Sequence, residues 1–340
     1  MPRPKVALGT SRVFGGWYGM LIPMKTFLLR GIAVAAALFL AAGALAAEMS
    51  GEPRVYKQVD GRELRLYLFK PKEWSASDQR PAIVFFHGGG WTGGAPNAFS
   101  RQSEYLASRG LVAVSAQYRL LEKDAPVAPF ICMQDAKSAL RWVRSHAQEL
   151  GIDPARIAAG GGSAGGHLSA FVGLVPGYDD PADDLKVSAK PAALVLFNPF
   201  VGYRTATVTD DALLARGTAR FGPKAREFFA STPANHVTKD APPTIIFHGA
   251  DDAVVPVTQV QSFADDMKKA GVRCELVVFP GQTHSFFNRG KAFYETVIAM
   301  DKFLASLGWL NGPPTMTVPA NAEMAADAGA RKAKRKKAAK

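Results

Sequence analysis

The residue pattern predicts an α/β fold: a mostly parallel, twisted sheet with helices on both faces, behind an N-terminal antiparallel hairpin. Three observations carry that reading. Residues 82–86 and 192–197 are short runs that are apolar at every position, as expected of strands buried on both faces of a parallel sheet. Stretches with apolar residues at helical spacing alternate with such runs, which implies right-handed crossovers. Glycine-rich or polar loops follow directly on several runs, at the strand carboxyl ends where functional groups collect in such folds.

Taken in order, residues 54–59 and 63–69 alternate apolar and polar side chains around Asp60-Gly61, a hairpin signal, and Pro71 ends the second strand. Pro81 precedes the buried strand 82–86, and His87-Gly88-Gly89-Gly90-Trp91 comes next. Residues 99–109 read as a helix ended by Gly110, 111–116 as a strand, and 131–150 as a helix ended by Gly151. Asp153-Pro154 turns into a strand at 156–159, and Pro191 introduces the strand 192–197. Residues 198–241 are irregular, with helical pieces at 210–215 and 223–229; they are expected to shape the specificity part of any pocket. Pro242-Pro243 opens a strand at 244–248, followed by an amphipathic helix at 257–270, a strand at 274–279 and a closing helix at 291–307.

The 340 residues, 48% hydrophobic and 21% charged, suit one large domain, placed at 48–312. Residues 1–47 contain no acid; after Met24, itself a candidate start, come Lys25, Arg30 and an apolar run closing on Ala44-Leu45-Ala46. That pattern predicts a signal peptide cleaved beside Ala47 and a secreted or periplasmic protein. A retained anchor is the alternative, because the run is near the ~20 residues needed to span a bilayer. Of the net charge of +12, five units lie in residues 1–47 and five in 321–340, where seven cations meet only Glu323 and Asp327. The body is left nearly neutral, which argues against nucleic-acid binding as its main activity. The tail, residues 313–340, is predicted to be disordered and able to adhere to anionic surfaces. Cys132 and Cys274 are expected as free, buried thiols.

Residues 157–170 read Ile-Ala-Ala-Gly-Gly-Gly-Ser-Ala-Gly-Gly-His-Leu-Ser-Ala, a strand running into Gly161-Gly-Ser163-Ala-Gly165 and then a helix. A serine held on such a strained strand-to-helix turn projects its hydroxyl, provided its neighbours lack bulk. The helix N-terminus then faces the place where negative charge develops in acyl transfer. Gly89 and Gly90, with the amide of Ala164, offer an oxyanion hole. A carboxylate follows the strand 244–248 at Asp251 or Asp252, and an imidazole follows the strand 274–279 at His284. The chain order Ser, Asp, His is one of three known for this triad. Trp91 and Phe286 are candidates to line a substrate pocket, together with Phe287, although aromatics at strand ends are as often core. His167 reads as a residue packed beneath the serine turn, His87 as a brace for the glycine loop and His248 as structural. No Cys/His cluster has metal spacing and no dinucleotide fingerprint is present, so neither metal nor cofactor is expected.

These four blocks, over residues 53–308, resemble the α/β-hydrolase carboxylesterases, specifically those similar to hormone-sensitive lipase and the bacterial feruloyl and acetylxylan esterases. The resemblance selects Asp252 over Asp251, because the family's acid falls three residues after the glycine of His248-Gly-Ala-Asp-Asp252 and four before Pro256. It implies an exported serine esterase acting on short acyl or feruloyl esters, either small esters or an acylated polysaccharide such as xylan. About 39 residues separate a mature start from His87, which points to little or no cap domain. Ser285 stands where the family often carries glycine. An arylformamidase, a peptidase or a non-catalytic binding module of the same fold are the alternatives.

Overall fold

The computed structural model describes residues 50–202, 204 and 211–322. The expected signal segment, residues 1–47, and the basic run beyond residue 322 lie outside the described residues. Asp60 and Gly61, at φ 52° and 69°, join β1 (Glu52–Val59) to β2 (Arg62–Phe69). Positive φ at both central positions is what a tight hairpin of right-handed twist demands. The chain continues through β3 (Arg80–Phe86), α1 (Ser100–Ser108), β4 (Val112–Ala116), α2 (Phe130–Ser145), β5 (Ile152–Gly162) and α3 (Ala164–Leu174). After β6 (Ala193–Phe197), two helices, α4 (Asp211–Phe221) and α5 (Ala225–Ala230), are inserted before β7 (Thr244–Gly249). The series ends with α6 (Val257–Lys269), β8 (Cys274–Phe279) and α7 (Gly290–Ser306).

All eight strands form one sheet in the order β1-β2-β4-β3-β5-β6-β7-β8. Only the pairings of β2 with β1 and β4 are antiparallel; β4 through β8 are parallel. Side-chain alternation divides the core between the two faces. Ala82, Val84 and Phe86 of β3 pack with α2 and α3, whereas Ile83 and Phe85 pack with α1 and α7. Leu194, Leu196 and Ile246 face α6, while Val195, Phe197 and Phe247 face α7. Each such Phe or Leu contributes about 1.5–3 kcal/mol on full burial, which anchors the strand ends that carry the site.

Two boundaries differ from the sequence reading. The helix expected at 131–150 stops at Ser145, where the His146 ring stacks on Trp142 at 4.0 Å and its Nδ1 donates to the Trp142 carbonyl. The strand expected at 156–159 runs from 152 to 162, because its β3 pairing begins at Ile152. Arg109 donates to the carbonyls of Asn311 and Gly312, and Met316, within the described start of the expected tail, packs against the core cluster shared by α1 and α7. Cys132 and Cys274 are both buried and unpaired, in different core clusters. Among the described residues no helix is long and apolar enough to cross a membrane.

Candidate active site

Ser163 sits between β5 and α3 at φ 54°, ψ −116°, a conformation costly for any side chain and tolerated only when the surroundings impose it. Here they do. The Ser163 amide donates to the Phe197 carbonyl at 2.9 Å, and the Ser163 carbonyl accepts from His167 at 2.9 Å. A Cβ on Gly165 would run into the Phe86 carbonyl oxygen, so the turn closes against β3 only with glycine there.

Three strand ends converge on this serine. The loop after β7 is stitched to the loop after β8 by the amides of Ala250 and Asp251, which donate to the carbonyls of Phe279 and Gln282. Asp252 is thereby buried, its Oδ1 accepting from the amides of Val254 and Val255 at 2.9 Å each. Its Oδ2 lies 2.7 Å from His284 Nδ1, and His284 Nε2 lies 2.9 Å from Ser163 Oγ. An ionised carboxylate only accepts, so Nδ1 carries the proton and Nε2 is free to take the hydroxyl proton of Ser163. Asp251 is exposed and joins the arrangement only through its amide, so the carboxylate facing the imidazole belongs to Asp252.

The glycine loop reaches the serine from the other side. A Cβ on Gly89, at φ 118°, would strike the Gly93 carbonyl, because the Gly93 amide donates to the Gly89 carbonyl at 3.1 Å and closes the loop tightly there. The amides of Gly89 and Gly90 have no backbone acceptor among the described residues. Ala164 is the first residue of α3, where a helix leaves its N–H groups unsatisfied. His87 braces this loop: its Nδ1 donates to the Gly88 carbonyl at 2.8 Å, its ring stacks on Tyr118, and burial lowers its pKa to about 4.

Two clefts flank Ser163. One, of about 480 Å³, is lined by Gly88, Phe99, His284, Ser285, Phe287 and Asn288. The other, of about 320 Å³, is lined by Trp91, Ala164, Phe200, Arg216, Arg220 and Phe221, among others. Val254, 67% exposed, borders both. Trp91 lines a cleft beside Ser163. Phe286 does not: it is buried against Phe279 in the core under α7, and Phe287 takes the cleft position instead. The reason is the short 3₁₀ turn at Phe286–Asn288, which sends successive side chains in different directions.

His167 lies beneath the turn, wholly buried among Trp91, Phe171, Phe200 and Phe228, with a pKa lowered by burial to about 3. His248 donates through Nε2 to the Val255 carbonyl at 2.9 Å and so steadies the Asp252 loop. Asn198 escaped the sequence reading. It is buried at φ 35°, and its Oδ1 accepts from the Ser285 amide at 3.2 Å, fixing the turn that carries His284. Its place directly after β6, at a strand carboxyl end, was the available signal. Ser285 at φ 63° explains why a glycine suits that position. Among the described residues no group of His, Cys, Asp or Glu is arranged to hold a metal ion.

Sheet order, the turn at Ser163 and the loops after β7 and β8 define the α/β-hydrolase class. A family profile, BD-FAE, matches residues 66–267, and the chain belongs to that family. It is 31% identical over 261 residues to the probable carboxylic ester hydrolase LipM of Mycobacterium tuberculosis, covering 73% of this chain and 59% of that protein. The chain thus spans rather more than half the length of that curated relative. Among solved structures it is similar to Thermogutta terrifontis esterase 2 in its propionate-bound form, at 45% identity and TM-score 0.71 over 78% of this chain and 97% of that one. The same esterase phosphorylated by paraoxon matches at 45% identity, TM-score 0.69, over 78% and 97%.

Proposed function

We propose that the chain is a serine carboxylesterase that hydrolyses short acyl esters through Ser163, His284 and Asp252. The observation that carries this is the relay of 2.9 Å and 2.7 Å from Ser163 Oγ through the imidazole to a buried carboxylate, beside unengaged amides. His284 Nε2 takes the hydroxyl proton as Ser163 Oγ bonds to the ester carbonyl carbon, and the resulting oxyanion accepts from the amides of Gly89, Gly90 and Ala164. The imidazolium, held by Asp252, returns that proton to the departing alkoxide as the carbon–oxygen bond breaks. Water then attacks the acyl-enzyme with His284 again as base, releasing the acid and restoring the serine.

Similarity to LipM, a probable carboxylic ester hydrolase, and to the Thermogutta esterase with propionate bound supports an ester substrate with a small acyl group. Acetyl or feruloyl groups on a plant polysaccharide such as xylan fit the same chemistry, and the signal-like sequence of residues 1–47 supports a site of action outside the cytoplasm. Ser163→Ala is expected to lower hydrolysis of p-nitrophenyl butyrate by at least about 10³-fold and to abolish labelling by a fluorophosphonate probe. Near-normal turnover in that variant refutes the assignment. Acetylated and feruloylated xylan, run beside small acetyl and feruloyl esters, decides between polysaccharide and small-molecule substrates.

A further inference from the structure

The cleft on the Ala164 side of Ser163 has an unusual polar inventory. Its walls are aromatic, from Trp91, Phe200, Phe221 and Phe229, yet every polar side chain lining it other than Ser163 is a pure donor. Arg216 and Arg220 project from α4 at its edge, exposed and without an ion-pair partner among the described residues. The Arg220 guanidinium donates to the Gly90 carbonyl at 3.2 Å, leaving further N–H groups free. Trp91 Nε1 is buried and has no acceptor among the described residues. No Asp, Glu, Asn or Gln lines the cleft to pair with these donors. A site of this make-up is complementary to an apolar chain that ends in an anion, since a guanidinium binds a carboxylate through paired N–H groups.

The position of His284 assigns the two clefts. The imidazole must deliver its proton to the leaving oxygen, so the alcohol departs through the cleft that His284 lines, and the acyl group occupies the other. We infer that the donor-lined cleft is an acyl pocket for carboxylate-bearing acyl groups, with half-esters of dicarboxylic acids as the substrate class and Arg216 as a specificity-determining residue. This inference rests on the esterase reading of Ser163.

The test compares ethyl hydrogen adipate with ethyl hexanoate, which share chain length and differ in the terminal carboxylate, by following acid release. Wild-type protein is expected to favour the half-ester in kcat/KM. Arg216→Gln should lower the ratio of the two kcat/KM values about tenfold and Arg216→Glu further, mainly through KM for the half-ester. Raising the salt concentration should shrink the wild-type preference, because the rim is exposed. A ratio unchanged by both Arg216 variants, or a wild-type preference for the neutral ester, overturns the inference while leaving Ser163-dependent hydrolysis of ethyl hexanoate in place. Failure of the esterase reading is a separate outcome: neither ester is turned over and the fluorophosphonate probe does not label Ser163.

Discussion

At Asp252 the two carboxylate oxygens divide their labour. Oδ1 is committed to two backbone amides, which holds the side chain still, and only Oδ2 faces the imidazole. Asp252→Asn keeps the shape and can keep the backbone contacts through its oxygen, but it presents either an N–H or a neutral oxygen to His284 Nδ1. The wrong tautomer is then favoured, with Nδ1 accepting and Nε2 protonated, so Ser163 loses its base. Turnover of p-nitrophenyl butyrate is expected to fall about 10³- to 10⁴-fold with little change in KM, measured by steady-state kinetics near pH 7. Asp251→Asn, one residue earlier and exposed, serves as the comparison, and an equal loss there would reassign the acid.

At the scale of elements, α3 is buried along almost its whole length, and His167 is carried into the core with it. Burial lowers its pKa to about 3 and that of His87 to about 4, against roughly 6.5 in an unfolded chain. The unfolded state therefore binds protons below about pH 6.5 that the native state refuses, so stability falls as pH drops from there toward 4 and is unaffected by these groups above 7. Thermal melts of wild type and His167→Phe across pH 4–8 check this; the variant is expected to lose part of the acid-side slope whatever its Tm at pH 8. The same element shows what was readable beforehand. Gly161-Gly-Ser163-Ala-Gly165 announces a strand, a turn and a helix because steric demands there are local, and the partner loops announced themselves by following apolar strands. Phe286 and Phe287 were not separable, because which of two adjacent rings faces the cleft depends on a single 3₁₀ turn, and the roles of α4 and Asn198 depend on contacts made far along the chain.

Across the whole molecule, α7 is locked to α1 by a buried ion pair. Asp301, fully buried, accepts from Arg109 Nε and from the Tyr105 hydroxyl at 2.6 Å each, and Arg109 also holds the carbonyls of Asn311 and Gly312. Asp301→Ala takes the buried carboxylate from both the Arg109 guanidinium and the Tyr105 hydroxyl, and a loss of about 3–5 kcal/mol is expected in urea unfolding, against at most a small change for the exposed pair Arg65–Glu63. The relay at the serine has a temporal corollary. Its hydroxyl and imidazole are 121 positions apart, on the turns that follow strands β5 and β8, with β6 and β7 seated between those strands. A nascent chain still emerging from the ribosome can complete the nucleophile's turn long before its base has been synthesised. On the proposed esterase reading such a chain is silent until β8 docks, so the onset of ester cleavage would clock the completion of the sheet.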